Sequence, residues 1–134
     1  MSWSQSLIKL ASYEVETLQK RLAEVVDRRM AAQQRLARLL AEADAEIAGA
    51  ATDPQAGLSI AAYLEGLRLK KTAIQADIET LLAEEAGARD ALTEAFEAQK
   101  KYEQVAESAR LLELKEAGRR ESAALDELGL RKAR

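Results

Sequence analysis

Carboxylates and amines are the reactive side chains that this sequence offers. It carries 23 acidic and 20 basic residues but neither cysteine nor histidine, which rules out thiolate nucleophiles, imidazole bases, Cys/His zinc sites and Ser-His-Asp triads. What remains is acid–base work by a carboxylate pair, which needs two carboxyl groups facing one another in a desolvated cleft. Glu84 and Glu85 are neighbours in sequence, yet adjacent residues on a helix point in different directions. No glycine spacing matches a dinucleotide fingerprint or a phosphate loop. The residue types therefore point away from catalysis, cofactors and small-molecule ligands, and toward recognition by charge and apolar surface.

The elements that carry those side chains read as long helices. Charged residues make up 32% of the 134 and aromatics only 4%. The 48% hydrophobic fraction leans on alanine, which favours helix but buries little area. A net charge of −3 disfavours nucleic acid as a partner. The opening MSWSQSLIKLASYEVE meets polar and acidic residues too early for a secretory signal. No apolar run approaches the ~20 residues of a membrane span. These features suggest a cytoplasmic protein.

The one proline, Pro54, lies in AGAATDPQAGLS between Gly49 and Gly57. Proline lacks an amide proton and clashes with the preceding turn, so a helix must break there. A first helix is expected over about residues 4–48, capped by Ser4 or Ser6 and stopped near Gly49. A turn spans about 49–58. A second helix runs over about 59–128. In the first arm Ile8, Ala11, Val15, Leu18, Leu22, Val25, Ala32, Leu36, Leu39 and Ala43 recur at alternating three- and four-residue steps, with Arg29 filling one gap. The second arm repeats the pattern at Ile60, Leu64, Leu67, Ile74, Ile78, Leu81, Ala88, Leu92, Ala95, Tyr102, Ala106 and Ala109, with Lys71, Glu85 and Gln99 as polar members. Two apolar stripes meeting at one break predict an all-α fold: a single domain over 1–134, two long helices in an antiparallel coiled-coil hairpin.

The second arm is the longer. Paired back from the break, the first arm is used up near residue 105, which leaves Leu111, Leu112, Leu114, Leu125 and Leu128 in a C-terminal overhang with no partner in the chain. That overhang is a candidate docking surface, with self-association or disorder as the alternatives. Trp3 and Tyr13 either anchor an interface or pack across the base of the hairpin; packing is the expectation. Basic residues from Lys20 to Arg38 overlap acidic ones from Asp77 to Glu97 once the chain folds back, and this favours the antiparallel register. The tip around Asp53 is acidic and the last residues, Arg131, Lys132 and Arg134, are basic.

Four stretches carry a family resemblance. SLIKLASYEVETLQKRLAEV near the start, SIAAYLEGLRLKKTAIQADI after the break, ALTEAFEAQKKYEQVAE with Lys100, Lys101 and Glu103, and ALDELG near the end together resemble the FliJ family of the flagellar type III export apparatus, over nearly the whole chain. The resemblance implies a non-enzymatic antiparallel coiled coil similar to the central stalk of rotary ATPases. Its partners would be the ring of the export ATPase, whose hexamer it would promote, a membrane export gate protein, and export chaperones. It would sit in the cytoplasm, peripherally associated with the inner-membrane export apparatus. By position, Tyr63, Leu67, Lys70 and Ile74 would meet the gate, Tyr63 being the best exposed because Leu67 and Ile74 also fall on the apolar seam. Lys100, Lys101, Glu103, Arg110, Leu111, Leu112 and Leu114 would meet the ATPase ring. The stalk of a virulence-type secretion system and a homo-oligomeric coiled-coil scaffold are the alternatives.

Overall fold

Ser2 decides where the first helix begins. In the structure, a computed structural model describing residues 2–53, 55 and 57–133, the Gln5 amide donates to Ser2 Oγ at 3.3 Å. The Ser2 amide in turn donates to Gln5 Oε1 at 3.2 Å. This reciprocal capping box satisfies two amides that the helix itself leaves unpaired. Helix α1 accordingly spans Trp3–Ala50, and its cap is Ser2 rather than Ser4 or Ser6.

At its other end α1 runs through Gly49. No described glycine takes a positive φ, so a left-handed glycine cap is not what stops it. Thr52 Oγ1 instead donates to the Gly49 carbonyl at 2.9 Å, and the Thr52 and Asp53 amides bond back to Gly49 and Ala50. Asp53 Oδ1 accepts the Gln55 amide at 3.0 Å, an aspartate turn that carries the chain onward. Pro54, on which the expected break rests, lies outside the described residues. Helix α2 then spans Gly57–Ala133. The fold is thus the expected pair of helices with the second the longer, and residues within it separate into two units.

The unit of residues 17–92 is an antiparallel helical hairpin. The α1 seam is its core: Val25 and Ala32 are fully buried and Ala43 nearly so, with Leu18, Leu22, Leu36 and Leu39 half-buried. On α2, Leu67, Ile74, Ile78, Leu81, Ala88 and Leu92 are half-buried. Leu64 and Lys71 are exposed. Cross-helix ion pairs flank the seam: Arg28 to Glu84 at 2.7 Å and Arg35 to Asp77 at 3.9 Å. One heptad forward on α1 meets one heptad back on α2, which is the antiparallel arrangement that the two charge blocks predict.

The polar members of the seam pair with each other. Glu85 is only 7% exposed. Arg29 donates from Nη2 to its Oε1 at 3.1 Å. Arg29 Nε lies 3.0 Å from Oε2, close enough for an ion pair but not aligned as a hydrogen bond. Arg89 adds a contact to Oε1 at 3.3 Å, and Arg29 Nη1 donates to Gln33 at 3.0 Å.

The second unit joins residues 1–16 to 93–134. Ala11 and Val15 are its buried residues, and Ala95, Ala98, Gln99, Tyr102 and Ala106 are half-buried. Gln99 Nε2 donates to Ser12 Oγ at 2.9 Å, so this polar seam position is also satisfied. Trp3 and Tyr13 do not pack across the base: they are 68% and 70% exposed. Both lie off the seam phase set by Ile8, Ala11 and Val15, so the helix turns them outward.

Gly87 is exposed inside α2, with nothing within 4 Å of a Cβ built upon it. Replacing Gly87 with alanine should stabilise the protein by about 1 kcal/mol, since glycine loses more backbone entropy in a helix than alanine does. Chemical denaturation followed by helical circular dichroism checks this; an unchanged or lowered midpoint would contradict it.

Candidate interaction surfaces

From Glu107 to Lys132 every residue of α2 is exposed, including Leu111, Leu112, Leu114, Leu125, Leu128 and Leu130. The helix explains why the seam stops supplying cover. Continuing the three-four spacing past Ala106 and Ala109 reaches Glu113, Glu116, Arg120, Ala123, Glu127 and Leu130, mostly charged residues that have no use for an apolar partner. The leucines shift by two positions instead: Leu111 and Leu114 recur two heptads on as Leu125 and Leu128, with Gly118 and Glu121 at the positions between. A two-residue shift on a helix is a rotation of about 200°, so this stripe lies on roughly the opposite side of α2 from the seam.

Of the residues matched to an ATPase contact, Lys100, Glu103, Arg110, Leu111 and Leu114 share that outer face by their spacing, while Lys101 and Leu112 fall to its side. All seven are exposed. Within the face Arg110 pairs with Glu107 at 2.7 Å. That hydrogen bond holds the Glu107 carboxyl below its ordinary value and raises the Arg110 guanidinium. On α1, Trp3, Leu10 and Tyr13 form a second exposed apolar row at three- and seven-residue spacing. The spacing of Leu10 from Trp3 and Tyr13 is the sequence signal of this row.

The residues matched to a gate contact, Tyr63, Leu67, Lys70 and Ile74, also fall on one face of α2 by their four-three-four spacing. Lys70 is exposed and the other three are half-buried. Tyr63 borders a shallow cleft with Glu46, Gly49 and Ala50, and Ile74 borders one with Arg38 and Leu39. Leu67 and Ile74 therefore serve the hairpin core as well as any outer contact. Among the described residues there is no cluster of His, Cys, Asp or Glu able to hold a metal ion, and no helix long and apolar enough to cross a membrane.

Comparison with known proteins bears on which family this geometry belongs to. The family model for the flagellar FliJ protein matches residues 5–134. The flagellar FliJ proteins of two Caulobacter vibrioides strains, NA1000/CB15N and ATCC 19089/CIP 103742/CB 15, are each 51% identical over 131 residues, covering 98% of this chain and 94% of theirs. The chain belongs to the FliJ family. No solved structure matches it at a significant level. As a FliJ-family protein it is a component of flagellar export and not an enzyme.

The ionic centre of this FliJ-family chain has a pH signature. The Arg29 hydrogen bond holds the Glu85 carboxyl below its ordinary 4.5, against the desolvation that raises it. A carboxyl depressed in the folded state adds stability above its unfolded pKa and loses it as pH falls through the folded value. Melting temperature should therefore drop as pH is lowered below about 4.5, and Glu85→Gln should flatten part of that dependence. Glu65, hydrogen-bonded to Arg68, and Glu107 shift the same way, but as exposed pairs they contribute weakly. A Glu85→Gln profile parallel to that of the unaltered protein would contradict this role.

Proposed function

We propose that this FliJ-family protein acts as a central-stalk-like coiled coil of the flagellar export apparatus, working in the cytoplasm at the inner membrane. The end of α2 enters the ring of the export ATPase and promotes its hexamer. The observation that carries this reading is the exposed run from Glu107 to Lys132, with leucines rotated onto the side of α2 away from its own seam. A stripe placed there has no use inside the hairpin and suits the lining of a protein cavity. Lys100, Glu103 and Arg110 extend the same face with charge, and the Trp3, Leu10 and Tyr13 row offers further anchors of the kind enriched at interfaces.

The face of Tyr63, Leu67, Lys70 and Ile74 is the proposed contact for the membrane export gate, with Tyr63 and Lys70 making the outer contact while Leu67 and Ile74 hold the hairpin. Export chaperones are further partners, to which no residues are assigned. The test is binding of the full chain and of a chain truncated after Val105 to the hexameric export ATPase, with helicity followed in parallel. Truncation should leave the upstream helices folded and abolish binding. Retained binding, or loss of helicity upstream of the cut, would count against the assignment. Self-association of the full chain without ATPase binding would favour a homo-oligomeric scaffold instead.

A further inference from the structure

The apolar seam of the unit comprising residues 17–92 does not by itself fix how far one helix slides along the other. Its residues repeat by heptads on both arms, so a slip of one heptad still sets apolar residues against apolar residues. The exposed ion pairs discriminate little better. Arg28 and Arg35 are a heptad apart, as are Asp77 and Glu84, so after a slip in either direction one of these arginines still faces a carboxylate. The turn is also permissive: residues 44–49 at the end of α1 are all exposed and give up little packing if they unwind.

The Arg29–Glu85 pair, its glutamate buried and its arginine half-buried, behaves differently. A one-heptad slip would set Arg29 against Ile78 or Leu92, and Glu85 against Leu22 or Leu36, all half-buried seam residues. Glu85 would lose both Arg29 contacts and keep only Arg89 on its own helix, and Arg29 would keep only Gln33, so the desolvation of both charges would go largely uncompensated. We propose that Arg29 and Glu85 form a register lock, which selects one axial alignment of α1 on α2 from several that the apolar seam would accept.

The test measures axial register directly. With no native cysteine, cysteines introduced at the exposed positions Gln34 and Ala62 accept spin labels cleanly, and pulsed dipolar spectroscopy reads their separation. A one-heptad slip moves the labels by about 10 Å along the axis. The unaltered seam should give one distance. The doubly apolar variant, Arg29→Leu with Glu85→Leu, should remain helical and show a second distance about 10 Å away. The exchanged pair, Arg29→Glu with Glu85→Arg, keeps complementarity and should return to one distance, and it serves the same purpose if the leucine variant fails to fold. A single distance in the leucine variant would show that the turn alone sets register and would overturn the proposal. Two distances in the exchanged pair would overturn it as well.

Discussion

Replacing Val25 with aspartate is expected to destabilise the protein by about 4 kcal/mol, lowering its melting temperature by roughly 10 °C or more. Val25 is the largest fully buried side chain described. It lies one heptad-step from the Arg29–Glu85 pair, on the seam that holds the hairpin of residues 17–92 together. The substitution removes two buried methyl groups and forces a carboxylate into a layer where Arg29 is already committed to Glu85 and Gln33. Val25→Ala, which removes only the methyl groups, should cost about 2 kcal/mol. Ala23→Asp, at an exposed position two residues away, should change stability by no more than about 0.5 kcal/mol. Thermal unfolding of the three variants checks the series; a Val25→Asp melt close to that of Ala23→Asp would show that the seam is not where the stability lies.

Glutamine in place of Leu111, Leu114, Leu125 and Leu128 should have the opposite profile. Glutamine is a good helix former, and these side chains cover nothing within the chain, so melting temperature should barely move. Binding to the export ATPase should fall by at least about 100-fold, since burying even two or three leucines is worth several kcal/mol and each 1.4 kcal/mol is tenfold in affinity. Glutamine at Leu112 and Leu130, off the leucine face, should weaken binding much less. Titration of labelled protein against the ATPase distinguishes the two sets. Equal losses from both would mean that the face deduced from heptad phase is not the one used.

Much of this fold is written in the spacing of its apolar residues. Each position of the α1 seam from Ile8 to Ala43 is buried or half-buried, because three-four alternation on a helix has only one geometric meaning. Arg29, Glu85 and Gln99 were visible as polar interruptions, but their partners were not: pairing Arg29 with Glu85 and Gln99 with Ser12 requires the register between helices, which no single-helix pattern contains. Ser2 and Gln5 have the three-residue spacing of a capping box, and this spacing, not the serines at 4 and 6, marks the start of α1. For Trp3 and Tyr13 residue type points to packing across the base, and helical phase overrules it. The overhang was legible as unpaired. The rotation of its leucines to the far side of α2 emerges only when the seam is carried forward past Ala109 and found to be mostly charged.

If the exposed end of α2 acts on the export ATPase, the effect is visible in the enzyme itself. The most direct measurement is the hydrolysis rate and hexamer fraction of the matching flagellar export ATPase, with and without the full-length protein. Both should rise on addition of the protein, and the rise should disappear with the four-leucine variant while the protein stays fully helical. An ATPase whose rate and assembly are unchanged, with this protein associating with itself instead, would contradict it.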